Sequence, residues 1–312
     1  MEVAYKHIML VTNRTPSARA TEQSAVNLAK KHDADILIVD TVRPPSLTSQ
    51  WLTANSEELF EIVVQDKQQR LDELVAEVRE HGVRARAEVL VGKSSQVIVN
   101  AVQAENIDLV VRYMKGEKSP IPGSFGTTAR NLMRACPCPV LLVGDTPLEN
   151  PRILACVNPE HEFDENNGIV QAATHMASDP LHLQFLYCWK FYGSEIMRDY
   201  MSEKIWQANL DEAETTYRMA FENMIDKLHL DSADRRVHLE NGAPAEIIPQ
   251  VCRHESIDVV VMSSASQNHP IKRLLGSTIE SVLPDLPCAL MVVKPTGFTS
   301  PVAPHDSSVE TA

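Results

Sequence analysis

Short runs of Val, Ile and Leu alternate along the chain with longer stretches whose apolar residues recur every three or four positions. In the first half the runs fall at about 7–12, 35–40, 84–90, 107–112 and 139–143, and their length and β-branched content predict strands. Helices are predicted between them near 17–32, 56–81, 94–105 and 126–135. The stretch "EELFEIVVQDKQQRLDELVAEVREHG" keeps the 3.6-residue spacing, and Gly82 suits its C-terminal stop. Continuously apolar strands separated by helices predict a parallel sheet with both faces covered. The second half repeats the scheme, with a long helical segment near 194–229 that carries Ile205, Leu210, Met219, Phe221, Met224 and Leu228.

The repetition extends to single residues. Shifting the chain by 150 positions aligns Gly92 with Gly242, Ile98 with Ile248, Glu105 with Glu255, "IDLVV" with "IDVVV", and Pro120-Ile121 with Pro270-Ile271. Gly126, Thr128, Pro137 and Cys138 then fall on Gly276, Thr278, Pro287 and Cys288. Between 92 and 143 no gap is needed and 14 of 52 positions are identical, well above the roughly one in fifteen that composition alone gives. At a slightly different offset, "HIMLVTN" (7–13) matches "RILACVN" (152–158). The repeat unit is therefore a whole domain, not a solenoid module. Domains are expected at 1–146 and 151–296, joined by the polar, proline-containing "GDTPLENPR", with a disordered tail at 297–312.

Composition narrows the classes of function. A length of 312 residues gives each half enough chain for its own core. A formal net charge of -13 with no basic stripe argues against a nucleic-acid partner. The longest apolar runs fall far short of the roughly 18 to 20 residues of a membrane span, and the N-terminus lacks a long apolar signal core. Six cysteines, mostly in apolar segments, read as reduced core thiols and point to the cytoplasm. In "CPC" (136–138) two thiols lie close together, and a metal would need two more ligands that this stretch lacks. There is no G-x4-G-K-[ST] loop, no H-E-x-x-H, no G-x-S-x-G and no SGGxD motif.

In an open parallel sheet the ligand site lies beyond the carboxyl ends of the strands, where the strand order reverses. Two segments of each unit should meet there: the end of the first strand, at Asn13 or Asn158, and the turn into the helix after the fourth strand. Those helices open at Gly126-Thr127-Thr128 and Gly276-Ser277-Thr278, where small residues, free amides and the helix dipole suit an anionic ligand. In the second unit Lys272 and Arg273 lie close by, and the aromatic and Met-rich "CWKFYGSEIMRDYM" (188–201) offers lining for a cavity, or simply helix packing.

Gly116, separated by nine intervening residues from Gly126-Thr127, completes a pattern that resembles the G-x2-G-x9-G-[ST] signature of universal stress proteins, and "CPVLLV" resembles their last strand. From residue 4 to about 294 the chain is similar to the tandem, two-domain members of the E type. The resemblance implies two Rossmann-like domains, each a five-stranded parallel sheet in order 3-2-1-4-5 with helices on both faces. It implies ATP or another adenine nucleotide as the ligand in many members, without an evident catalytic reaction. It also implies pairing of the last strands, here within one chain, and leaves a further homodimer open.

The signature is incomplete in both units. Tyr113 stands where the first glycine belongs, and in the second unit Ser263 and Ser266 replace both early glycines. Members that bind nucleotide usually carry Asp where both units here have Asn. The expected protein is a non-enzymatic, bacterial stress-response module that binds a small ligand or nucleotide through degenerate ATP motifs. The alternatives are an ATP-binding protein with weak ATPase activity and a structural interaction protein with collapsed pockets.

Overall fold

The structure, a computed structural model, describes residues 5–45, 56–115, 125–160, 163–190, 200–228, 236–264 and 275–303. The chain divides into two compact units. Unit 1 comprises the chain up to Glu149 and the stretch that begins at Phe298, and unit 2 holds the secondary-structure elements between Asn150 and Gly297.

In unit 1, strands β1 (His7–Val11), β2 (Asp35–Val42), β3 (Ala85–Val91), β4 (Leu109–Tyr113) and β5 (Val140–Val143) alternate with helices α1 (Arg19–His32), α2 (Ser56–Glu80), α3 (Ser94–Ala104) and α4 (Thr127–Ala135). All strand pairs are parallel, in the order β3-β2-β1-β4-β5. Unit 2 repeats this with β6 (Ile153–Cys156), β7 (Leu183–Trp189), β8 (Arg236–Asn241), β9 (Val259–Ser263) and β10 (Ala289–Val293) in the order β8-β7-β6-β9-β10, again all parallel. Its helices are α5 (Phe163–Met176), α6 (Glu203–Lys227), α7 (Pro244–His254) and α8 (Ser277–Val282). The long helix read near 194–229 is α6; of its two ends as read, 194–199 and His229 lie outside the described residues.

The central strands explain the continuous apolar runs. Ile8, Met9 and Leu10 of β1, Leu109, Val110 and Val111 of β4, and Ile153, Leu154 and Ala155 of β6 are all fully buried. Each such Leu, Ile or Val side chain contributes about 1.5–3 kcal/mol of burial. Helix α1 packs over β1, β2 and β4, while α3 packs against α4. The edge strands β3 and β8 are more exposed, as a strand with one open side should be.

Details of the backbone recur at the 150-residue shift. Arg86 pairs with Glu105 at 2.5 Å and Arg236 with Glu255 at 2.6 Å, tying each edge strand to the helix after it. Asn106 and Ser256 both take the left-handed conformation that ends a helix. The Asp108 carboxylate accepts hydrogen bonds from the amides of Lys6 and His7, and Asp258 accepts one from the Arg152 amide, so each clamps the start of its unit's first strand to its fourth.

The expectation of a disordered tail is corrected for residues 298–303. The Ser300 hydroxyl donates to the Ala135 carbonyl at 2.7 Å, and Gln103 Nε2 donates to the Val302 carbonyl at 3.3 Å, so this stretch is held on the ends of α3 and α4 of unit 1. Low hydrophobicity suggested a free tail, but the carbonyls that end a helix need donors, and these residues supply one and receive another. Residues 304–312 lie outside the described residues.

Gly92 and Gly242 follow β3 and β8 with φ of +142° and +157°. A Cβ added at Gly92 would meet Val97 Cγ1 at 2.5 Å, whereas at Gly242 it would meet Ile247 Cγ1 and Cδ1 at 3.0 and 3.1 Å. Gly92→Ala should therefore destabilise by about 1–3 kcal/mol, the range for a residue held in a disfavoured conformation. In thermal melts it should lower Tm more than Gly242→Ala; an unchanged Tm for Gly92→Ala would refute the strain assignment.

Candidate functional site

In unit 2 the carboxyl ends of β6, β7 and β9 and the starts of α7 and α8 surround a cleft of about 140 Å³. Its lining includes Asn158, Glu165, Tyr187, Ser263, Gly276 and Thr278 among the polar and small residues, with Ile169, Leu186, Pro244, Ile248 and Met262 as apolar walls and Cys156 and Cys188 between them. The cleft thus stands at the switch point, where β6 is flanked by β7 on one side and β9 on the other.

The loop after β6 is held by amide side chains. Asn158 Oδ1 accepts from the Glu160 amide at 2.9 Å, an Asx turn. Buried Asn166 of α5 accepts from the Asn158 amide at 2.9 Å and donates to the Asn158 carbonyl at 2.7 Å. Asn158 therefore shapes the rim of the cleft through its own backbone and loop. On the opposite wall Tyr187 packs edge-on to Tyr217 of α6, with ring centroids 5.7 Å apart, and Trp189 lies tilted against the same Tyr217 at 5.1 Å. Burial, and then the nearby Glu160, pushes the Tyr187 hydroxyl well above the usual phenol range. The Trp189 indole Nε1 is buried and finds no acceptor among the described residues.

At the corresponding strand ends and loops of unit 1 the protein's own charges pair with one another, and Arg14, Glu22 and Glu77 line a recess of about 300 Å³. Asn13 Oδ1 accepts from the Thr15 hydroxyl at 3.0 Å and shapes the loop after β1 as Asn158 does after β6. Next to it the Thr12 hydroxyl donates to buried Glu22 at 2.7 Å, and Arg14, at φ +56°, bridges Glu22 at 3.3 Å and Glu77 at 2.8 Å. By sheet register Asp40 of β2 is the counterpart of Tyr187, and its carboxylate is ion-paired to Lys67 of α2. Tyr113, the counterpart of Ser263, donates its hydroxyl to Asp145 at 2.6 Å, and Lys115 pairs with the same carboxylate. These two contacts, Lys115 first, hold Asp145 below the usual carboxylate range.

Of the residues that the sequence marks, the structure brings Asn158, Ser263, Gly276 and Thr278 together in one cleft, with Ser277 exposed beside them. Gly126 and Gly276 begin α4 and α8 with φ of -62° and -53°, so neither needs the conformational freedom of glycine. Thr127 is exposed and Thr128 half-buried on the first turn of α4. Gly116, Ser266, Lys272 and Arg273 lie outside the described residues, as does 191–199 of the aromatic loop. Sequence reasoning missed Tyr187, Glu165, Pro244 and Ile248. The switch-point rule would have found Tyr187 and Pro244 had it been applied to the end of β7 and the start of α7 as well.

This geometry agrees with what the chain is similar to. The universal stress protein family model matches residues 4–144 and 152–294, and the chain belongs to that family as two domains in tandem. It is 25% identical to the universal stress protein E homolog of Haemophilus influenzae over 321 aligned positions, which cover 94% of this chain and 98% of that protein. To universal stress protein E of Salmonella typhi it is 26% identical over 220 residues, 68% of each chain. Among solved structures, a protein of unknown function from Pseudomonas aeruginosa PAO1 superposes with a TM-score of 0.70 at 19% identity, covering 94% of both chains. A universal stress protein from Archaeoglobus fulgidus gives 0.60 at 15% identity, covering 92% of this chain and 98% of that one. These two share the fold. No helix among the described residues is long and apolar enough to cross a membrane.

The Tyr113–Asp145 contact in unit 1 has a titration signature. Burial, then the hydrogen bond to Asp145 and its charge, pushes Tyr113 from 10.0 up to about 12. A phenol raised in the folded state contributes stability that is fully present below pH 10 and is lost as pH rises through about 12. Asp145→Asn removes the second and third causes and leaves burial, so in ultraviolet titration the Tyr113 transition should fall towards 10 without reaching it. An unchanged titration would show that Tyr113 does not bond Asp145.

Proposed function

We propose that this chain is a stress-response binding module in which the cleft of unit 2 takes a small ligand, an adenine nucleotide being the first candidate, while the side chains at the matching place in unit 1 are paired with one another. The observation that carries this reading is the exchange at one repeat position: Ser263 lines the unit 2 cleft, and Tyr113 in unit 1 is bonded to Asp145. The family supports the stress-response role, and the nucleotide class of ligand is what the resemblance of the sequence implies. Among the described residues the lining offers hydroxyls at Tyr187, Ser263 and Thr278 and one carboxylate, Glu165, with which to hold a ligand.

The cleft is small for a whole nucleotide, since sites for drug-sized ligands start at roughly 300 Å³. Binding therefore requires either a compact ligand or movement of the walls. A protein that binds nothing and works through partner surfaces is the second reading, and the small volume favours it.

Calorimetric titration with ATP, AMP and adenosine separates the two. The reading predicts one site per chain, weakened at least tenfold by Ser263→Tyr, which copies Tyr113 of unit 1 into unit 2; that factor corresponds to about 1.4 kcal/mol. Tyr113→Ser should leave that site intact. If none of the three ligands binds and the purified protein releases no small molecule on denaturation, the interaction protein is the better account.

A further inference from the structure

Strands β3 and β8 each turn one row of peptide groups away from their inner neighbour, and the two rows differ in what meets them. Gly92 and Gly242, which follow the two strands, donate to the carbonyls of Val42 and Trp189 on that neighbour. In both strands the even-numbered peptide groups therefore bond inward and the odd-numbered ones point out. In unit 1 helix α2 meets the outward carbonyls: Arg79 donates to Ala85 from Nη2 at 2.8 Å and from Nε at 3.2 Å, and Gln68 Nε2 reaches Ala87 at 3.5 Å. An edge covered in this way is poorly placed to accept another strand.

Among the described residues of unit 2 this cover is missing. Helices α2 and α6 are both 25 residues long, and counted from their first residues Asp226 stands at the place of Arg79 and Thr215 at that of Gln68. A carboxylate has no proton to give, and the Thr215 hydroxyl donates to the Asp211 carbonyl of its own helix. No described group bonds the outward peptide groups of Val237 and Leu239. On the same count Leu71 and Val75, buried in α2, give way to Arg218 and Glu222. Between α6 and β8 there remains a recess of about 390 Å³, whose apolar lining is Phe221, Ile225, Val237 and Leu239. Val237 is 44% exposed. An exposed apolar side chain on a bare strand edge is a surface for a further strand.

The sequence of β8 selects the strand that fits. Arg236, His238 and Glu240 share one face, and Val237 and Leu239 share the other. An antiparallel copy centred on His238 sets Val237 opposite Leu239 and Arg236 opposite Glu240, and a twofold axis makes each pair twice. Backbone parity agrees, since the outward-facing Val237 and Leu239 then form the hydrogen-bonded pairs and Arg236, His238 and Glu240 the closer, non-hydrogen-bonded ones. Centring on Val237 or Leu239 would keep the parity but break both Arg236–Glu240 pairs. Arg236 bonds Glu255 at 2.6 Å yet keeps a side chain 70% exposed, with further N–H groups to offer.

We infer that β8 is a dimerisation edge, at which two copies of this chain join their β8 strands antiparallel about His238 and continue the sheet of unit 2 across a twofold axis. The Val237 amide donates to the carbonyl of Leu239 of the partner subunit, and the amide of that residue donates back to the Val237 carbonyl. The charge pattern of β8 makes it its own complement.

Sedimentation velocity of the full-length chain over a concentration series tests this, and a reversible dimer is expected. Val237→Pro removes an outward N–H without touching the bonds to β7 and should leave a monomer. Glu240→Arg sets Arg against Arg and should weaken association about tenfold, and adding Arg236→Glu should restore it. Under mild oxidation His238→Cys should give a disulfide between the two copies at that position, because non-hydrogen-bonded partners lie about 4.5 Å apart at Cα. A monomer at every concentration, a dimer that neither Val237→Pro nor Glu240→Arg weakens, or a His238→Cys dimer that does not cross-link at that position would each overturn the proposal. If circular dichroism shows that Val237→Pro does not fold, Glu240→Arg and its rescue decide.

Discussion

Burial of the central strands on both faces is the constraint from which the rest follows. The backbone groups of β1 and β6 have no access to water, so their N–H and C=O groups must be met by neighbours on each side, β2 and β4 for one and β7 and β9 for the other. Parallel pairing then sends every connection through a helix and leaves the carboxyl ends of the strands as the place where loops from both directions converge. Asp108 and Asp258 complete the arrangement at the opposite end by clamping the starts of the first and fourth strands of each unit. The candidate site exists because the sheet reverses its order there, and its character depends on which side chains the loops supply.

The two units show how far those side chains diverge on one scaffold. At the end of the second strand an ion pair, Asp40 with Lys67, faces a tyrosine pair, Tyr187 with Tyr217. At the end of the fourth, a tyrosine bonded to a carboxylate faces a serine on a cleft. The charged set in unit 1 satisfies itself, so a ligand would have to displace existing hydrogen bonds, each worth about 1.5–3 kcal/mol when a charge takes part. The apolar walls of unit 2 impose no such cost. Both asparagines after the first strands accept from the backbone amide two residues on, Asn13 from Thr15 and Asn158 from Glu160, which gives these positions a structural use that does not depend on a ligand.

The fold was legible because its signals are local. Strand runs and helix periods are properties of neighbouring residues, and the alignment of Gly92, Glu105 and Asp108 with Gly242, Glu255 and Asp258 doubles each of them. The site was legible only in outline. Asn158, Ser263, Gly276 and Thr278 could be found because they follow strands or open a helix, whereas Tyr187 comes from a strand whose end carries no motif. Gly126 and Gly276 open their helices at backbone angles that any residue can adopt. Nor could sequence show that Tyr113 reaches Asp145, 32 positions away, or that Ser300 reaches Ala135 across 165. Such contacts are set by how elements pack, which no period in the sequence records. Helix α8 is shorter than α4 for a reason that is visible in hindsight: Pro284 stands where unit 1 has Arg134, and the helix gives way to a short 3-10 turn at Leu283–Asp285.

The central proposal is that one chain holds two unequal sites, one receptive in unit 2 and one in unit 1 whose side chains are paired with one another. Native mass spectrometry of the full chain, as purified and after equilibration with excess ATP or adenosine, counts bound molecules directly. The account predicts a single bound small molecule per chain at saturation. Two bound molecules on one chain would contradict it, since unit 1 would then be as open as unit 2.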